Sequence, residues 1–552
     1  MFIAHRLLVL AALVAVLIAP DLRAQPKTVC TITVNSSDER EIFRKYLPPD
    51  DFQFVELVER GRPDWLASAC RKGVQCDVLL ISGHFDGGTE FYSDRLDARE
   101  FLPVDEMERV SCSDACPGLF ARLKEVHLYG CNTLNGDAMR SASAEVARSL
   151  VRSGHSPADA DALARVLSER HGESNRDRMR HIFRDVPVIY GFSSKAPLGA
   201  KAAPLLERYF KAGAAGEVAS GKPSQKLLNL FAPSSMIVTA GIADGDPRAG
   251  FREDVCRFSD DRLTPAQKVG FMHQLLGRDM AEVRMFLDHL ERYSTSLGDK
   301  VRKAPDVAAE LAVIGADHAT RDRYLEFARD ADMPAVRVRM IELARRLGWL
   351  TDAERRVELL AMVRDQLAKD AVGSAEVDLV CTLNKDGALG RDFPPVPARS
   401  AAALPVSHAA LVACLGDAAG HARVLQALTS ARDEDVQLAQ VYLRHRPLVD
   451  VTELRGVATG IARMSGSDAQ VRALHTLARH QLSDRESLDE LTRLFPLAKT
   501  VDVQRAIAGI LIRSDYAAIA KPELLRALRL HRLKSPDGQD VIDVLVRRLQ
   551  QP

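Results

Sequence analysis

From Thr28 to about Ala240, short apolar runs alternate with stretches of helical spacing. Thr28–Val34 and Phe52–Leu57 are rich in β-branched and aromatic residues and read as strands. Asp38 is placed to open a helix running to Tyr46, and Trp65–Arg71 reads as part of another. Asp77–Ser82 is a continuous apolar run, the kind buried on both faces of a parallel sheet. It ends in a loop with three glycines, Gly83 to Gly88, and Thr89–Tyr92 follows as a hairpin arm. Val104–Leu123 is broadly helical, with Pro117-Gly118 interrupting it, and Val126–Gly130 is a strand that delivers Cys131. Asp137 is placed to cap a helix to Val151, and Ser156-Pro157 opens the next. Val186–Phe192 is a further strand, followed by a helix over Lys201–Phe210. This alternation predicts a mostly parallel, three-layer α/β domain over residues 25–245.

Strand signals then nearly vanish. A boundary falls in Gly241–Leu263, where Asp244-Gly245-Asp246-Pro247 marks a break, and an all-α region follows over residues 260–552. Pro334–Leu347, Asp435–Leu448, Asp468–Leu482 and Asp502–Ile512 carry apolar residues at three-and-four spacing. Val436, Val471 and Val503 each follow an acidic entry, at separations of 35 and 32 residues, which suits paired-helix repeats. Asp at the entry favours a helix N-terminus, and the valine is expected to begin the buried face. These segments resemble degenerate HEAT-type repeats. The proline-rich Asp386–Pro405 is expected to interrupt the array as a loop.

The first residues add a location. His5 and Arg6 precede an apolar run from Leu7 to Ala19, Pro20 breaks it, and Ala24 stands at a cleavage position. The run is shorter than the roughly 20 residues a spanning helix needs. Residues 1–24 therefore read as a signal peptide, and the mature chain as a periplasmic or secreted protein with no membrane attachment after cleavage. Lys27-Thr28-Val29 before Cys30 does not fit a lipoprotein processing site. With 75 basic and 75 acidic side chains in 552 residues, the chain lacks the basic excess of a nucleic-acid binder.

Export makes disulfides available to the nine cysteines, and nine leaves one unpaired within a monomer. Proximity in sequence predicts Cys112–Cys116, Cys70–Cys76 and Cys381–Cys414, leaves Cys30–Cys256 by elimination, and makes Cys131 the free thiol.

Ligands of parallel α/β sheets sit beyond the carboxyl ends of the strands. Two strands here end in reactive side chains, one in Ser82-Gly83-His84 and one in Tyr129-Gly130-Cys131. If they are neighbours, His84 is placed to take the Cys131 proton and return it to a leaving amine. Backbone N–H groups around Gly130 and Phe85 are candidates for an oxyanion hole. Taken singly, a cysteine after a strand is a small core residue and a histidine a satisfied hydrogen-bonder; only the pairing points to chemistry. A rival is zinc on Cys112, Cys116, His127 and Cys131, spaced C-x3-C-x10-H-x3-C. Against it, His127 points into a sheet and the two nearest cysteines have a simpler fate as a disulfide, so no metal and no other cofactor is expected. Asp86 is a candidate orienter of His84 or a turn cap, and Arg176, Arg178 and Arg180 read as a solvated basic face.

With His84 and Cys131 in this order, Thr28 to Gly213 resembles the caspase-like cysteine peptidases, their CHAT branch most of all. That resemblance implies hydrolysis of a protein or peptide substrate by Cys131 with His84 as base and acid. It also implies a pocket lined by the segment after the next strand, here Ser193, Ser194 and Lys195. The family pattern places glycine directly after its histidine, whereas this chain has Phe85 there. The alternative is therefore a catalytically inactive scaffold whose helical array binds a protein partner.

Overall fold

The structure is a computed structural model. It describes residues 25–60, 62, 64–85, 88–94, 100–113, 116, 118–137, 143–152, 154–171, 174–370, 372–394, 403–480, 482, 484–514, 521–534 and 540–550. The expected signal peptide, Asp86 and residues 395–402 of the proline-rich stretch lie outside them; the described part of that stretch holds a short helix, Ala388–Asp392, where the sequence predicted a loop. Two compact units divide at Phe327/Ala328.

The first unit is built on β1 (Lys27–Thr33), α1 (Asp38–Tyr46), β2 (Phe52–Glu56), α2 (Trp65–Arg71), β3 (Val78–Ser82), β4 (Glu90–Tyr92), β5 (Phe101–Pro103), α3 (Val104–Cys112) and β6 (Glu125–Tyr129). It continues through α4 (Ser143–Arg152), α5 (Pro157–Arg170), α6 (Asn175–Ile182), β7 (Val188–Phe192), α7 (Gly199–Lys211), α8 (Gln225–Phe231) and β8 (Met236–Thr239). Six strands form one sheet in the order β2-β1-β3-β6-β7-β8, all parallel except the β7–β8 pair. Because side chains alternate along a strand, the two faces of the sheet build two cores. Ile32, Ile81 and Leu128 face α2, α3 and α6, while Val29, Leu80 and Tyr190 face α1, α7 and α8. The result is the three-layer α/β arrangement expected from the alternation.

Local departures have local causes. α3 stops at Cys112 instead of running to Leu123, since Ser113 is extended and Cys116 is tied to Cys70. A proline at 117 disfavours helix in the residue before it. Ser156 caps α5 as anticipated, accepting from Asp159 N–H at 3.2 Å, while the entry of the helix assigned to Asp137 falls in residues outside the description. The edge strand β8 is four residues long, too short for its alternation to stand out.

Helices continue the unit: α9 (Ala249–Ser259), α10 (Pro265–Leu276), α11 (Met280–Met285) and α12 (Leu287–Ser296). The stretch Gly241–Leu263 is bound down rather than open. A Cβ on Gly241 would stand 1.8 Å from the Phe183 carbonyl oxygen, Arg180 reaches Asp246 at 3.2 Å, and Cys256 bonds to Cys112. Beyond it, buried Arg284 on α11 pairs with Glu145 on α4 at 3.0 Å. His171, His181 and His289 close around Phe251, with ring centroids 4.7, 5.1 and 5.7 Å away.

The second unit is helical. Its last helices come in pairs whose first members begin at Asp433, Ser467 and Val501, each 34 residues after the last. Their partners include Val451–Ala462 and Arg485–Leu494, entered by Asp450 and Asp484, side chains that cap their helices. The phase differs from the one read in the sequence. The recurring buried position is Val436, Gln470 and Gln504, whereas Val471 is only half-buried. Gln470 donates to the Ile461 carbonyl and Gln504 to the Phe495 carbonyl, each nine residues back. Asp435, Asp468 and Asp502 lie inside the first turn, where they favour the helix dipole without capping it. Arginines join successive first helices: Arg446 donates to the Cys414 carbonyl, Arg513 to Ala478 and Arg548 to Ile512.

Four disulfides are present. Cys381–Cys414 pairs as expected, and Cys131 is the free cysteine. The other three pair across the fold as Cys30–Cys76, Cys70–Cys116 and Cys112–Cys256, not as Cys70–Cys76, Cys112–Cys116 and Cys30–Cys256. Cys30 on β1 lies opposite Leu79 on β3, which brings Cys76, just before β3, within reach. Four disulfides fit an oxidising compartment, and no described helix is long and apolar enough to cross a membrane.

Candidate active site

β1, β3 and β6 are adjacent and in register, so residues beyond their ends form rows across the sheet. Thr33, Ser82 and Tyr129 make one row. Two residues on, beyond the strand ends, the chain carries Asn35, His84 and Cys131 along the carboxyl edge of the sheet. Parallel pairing of β3 and β6 thus makes the two sequence-predicted residues leave neighbouring strands at the same edge of the sheet.

His84 is held on several sides. Its backbone exchanges two hydrogen bonds of 2.9 Å with Tyr92, and its ring lies 5.4 Å from the Tyr92 ring. Nε2 is 3.0 Å from Nδ2 of Asn35 and 3.4 Å from the Asp94 carboxylate. Asn35 is fixed in turn, its N–H 3.3 Å from the Ser82 carbonyl and its Oδ1 accepting from Ser93 Oγ at 3.3 Å.

Cys131 sits at the turn out of β6. Asn132 adopts a left-handed conformation, φ 58°, which asparagine tolerates better than most residues. Its N–H donates to the Ser194 carbonyl at 2.6 Å and its carbonyl accepts from Asn175 Nδ2 at 2.9 Å. The Ala196 N–H points at Cys131 Sγ, 3.4 Å away. The segment Ser193–Ala196 is therefore a wall beside the thiol: Ser193 is half-buried, Ser194 and Lys195 are exposed.

The residues flanking the pair have distinct tasks. Gly130 is demanded by close approach, since a Cβ there would come within 2.8 Å of Phe85 Cβ and 2.9 Å of the Gly83 carbonyl. Phe85 is fully buried on the opposite face of the sheet, its ring 4.5 Å from that of Phe91. Its side chain thus turns away from the Cys131 row, and only its backbone borders the site. The N–H groups of Phe85 and Cys131 have no hydrogen-bond partner among the described residues.

The zinc arrangement does not assemble. Cys112 and Cys116 are spent in different disulfides, and His127 is buried in the sheet with Nε2 2.6 Å from Glu125. No metal-binding cluster occurs among the described residues. Of the basic run, Arg178 pairs with Asp105 and Arg180 with Asp246, so both are structural.

Asn35, Asp94 and Ala196 were not singled out in the sequence. Asn35 had a usable signal: it lies two residues past the end of a third parallel strand, where the rule that found His84 and Cys131 applies equally. Asp94 and Ala196 lie in loops and carry no such mark. Compared with protein-family models, with curated proteins and with solved structures, the chain matches none, so the assignment of chemistry rests on this geometry.

Proposed function

We propose that this chain is an exported cysteine peptidase of caspase-like type, nearest the CHAT branch, whose HEAT-like helical array binds substrate or a protein partner. The observation that supports it is the row Asn35–His84–Cys131 at the carboxyl ends of three adjacent parallel strands.

In this reading His84 Nδ1 takes the Cys131 proton and the thiolate attacks the peptide carbonyl carbon. The developing oxyanion receives the N–H groups of Phe85 and Cys131. The imidazolium returns its proton to the amine as the C–N bond breaks, leaving a thioester that water hydrolyses through the same base. For Nδ1 to act as base, the neutral ring carries its proton on Nε2. Asn35, with its amide turned to present Oδ1, accepts that N–H, and the Asp94 carboxylate 3.4 Å away favours it electrostatically. Asn35 is then a positioning residue rather than a catalytic one. Lys195, exposed beside Cys131, biases the pocket toward acidic side chains.

A thiol-directed peptidyl electrophile tests this. Folded protein is expected to label at Cys131, His84→Ala to cut the labelling rate by at least about tenfold without unfolding, and Cys131→Ala to abolish peptidase activity. Labelling at the rate of an ordinary exposed thiol, unaffected by His84→Ala, identifies the inactive scaffold instead.

A further inference from the structure

Beneath the Asn35–His84–Cys131 row lies a carboxyl group that the catalytic reading leaves unused. Glu39, in the first turn of α1, is almost wholly buried, and its Oε2 accepts from Ser82 Oγ at 2.8 Å. Ser82 and Tyr129 are register partners, each two residues before a member of the dyad. The Tyr129 hydroxyl is buried without a hydrogen-bond partner among the described residues and shares the electrostatic neighbourhood of Glu39. The Ser82 carbonyl also accepts from the Asn35 N–H. One serine therefore links the buried acid to the residue that holds His84.

We propose that Glu39 is a positioning residue whose charge, when present, tunes the protonation of the His84–Cys131 pair from one layer below. This rests on the reading of His84 and Cys131 as the reactive pair. Two residues of strand separate the rows by about 7 Å, and inside a protein a full charge acts strongly over that distance. A carboxylate there favours the imidazolium and disfavours the thiolate. It therefore delays loss of the His84 proton as pH rises.

The surroundings leave that charge little compensated. Asp38 precedes Glu39 on α1 and opposes its ionisation, while Arg40 turns outward to Glu41 and Glu56. From the sheet, Ser82 and Tyr129 face it; from α7, Tyr209 faces Tyr129. Burial pushes the Glu39 carboxyl up to about 7, where the neutral and charged forms interchange near neutrality. Two forms of one residue would thus set two states of the site.

Glu39→Gln separates charge from shape, because the amide oxygen still accepts from Ser82 while the charge is gone. Two readouts apply to the full chain: the NMR titration of the His84 ring, and the pH profile of Cys131 alkylation by iodoacetamide. The variant is expected to move the His84 midpoint down by about half to one pH unit and to shift the rise of the alkylation profile to lower pH by a similar amount, with the fold unchanged. Superimposable titrations in both proteins would overturn the proposal, leaving Glu39 a structural hydrogen-bonder. The NMR readout needs no catalysis. A shifted His84 midpoint with a Cys131 indifferent to His84→Ala therefore supports the role of Glu39 while sinking the peptidase reading. If the variant misfolds, Ser82→Ala keeps the acid but removes a hydrogen bond that favours its charged form, so it is expected to move the His84 midpoint down in the same direction by a smaller amount; an unchanged midpoint would overturn the proposal.

Discussion

In the first unit, residues that touch lie far apart in sequence: Cys112 with Cys256, Glu145 with Arg284, His84 with Asn35. In the second unit the same short-range contact recurs every 34 residues, as Gln470 and Gln504 each reach nine residues back to a carbonyl. The difference follows from what each has to do. Side chains at the ends of separate strands, such as His84 and Asn35, meet only once a non-local sheet has formed. A repeated contact builds surface, since each pair of helices buries its face against the next.

Changes in each unit test that contrast. The largest loss is expected from Glu145→Ala, which leaves Arg284 buried without its partner. The cost is about 3–5 kcal/mol, and hydrogen exchange should spread across α4, α11 and the sheet rather than stay local. A smaller, pH-dependent loss comes from the histidines around Phe251. Burial holds His171 down to about 4 and His181 to about 3, against 6.5 when free. Unfolding lets them bind protons, so their contribution is complete above about pH 6.5 and declines as pH falls toward those values. On the order of 2–4 kcal/mol of first-unit stability should vanish between pH 7 and 5, visible as earlier melting of the sheet than of the helices. An acid-insensitive first unit would show that these rings are solvated in solution.

In the array the effects are smaller and local. Gln504→Leu strands the Phe495 and His531 carbonyls and the Leu533 N–H, at about 1–3 kcal/mol. Faster exchange should be confined to neighbouring helices; loosening of the whole unit would argue against a repeat-by-repeat array. The smallest change is a gain. Gly509, within the helix Val501–Leu511, has open space where a Cβ would go. Gly509→Ala is expected to stabilise that helix by about 0.5–1 kcal/mol, measurable as a raised denaturation midpoint.

How far the sequence could be read follows the same division. β3 and β6 were legible because continuous apolar runs such as Val78-Leu79-Leu80-Ile81 mark strands covered on both faces. That His84 and Cys131 leave the same edge of the sheet was legible because a strand's last residue sits at a predictable edge. Three disulfide partners were not, because proximity in sequence says nothing about Cys30 and Cys76, which meet only when β1 and β3 pair. Phe85 looked like an obstacle in one dimension; strand alternation sends its ring to the far core. In the array the repeat length was nearly right and the phase wrong, because Val471 stands out in the hydrophobic pattern while the buried position is valine in one repeat and glutamine in the next two. Polar residues that satisfy a neighbouring carbonyl carry no hydrophobic signal.

The three disulfides of the first unit overlap end to end: Cys30–Cys76, Cys70–Cys116 and Cys112–Cys256. Any single backbone cut between Cys30 and Cys256 is therefore bridged by at least one of them. A chain nicked there, whether in maturation or by accident, would migrate as intact under non-reducing electrophoresis and come apart only with a reductant. The segments bearing His84 and Cys131 would stay covalently joined throughout, so cleavage and dissociation are separate events in this protein.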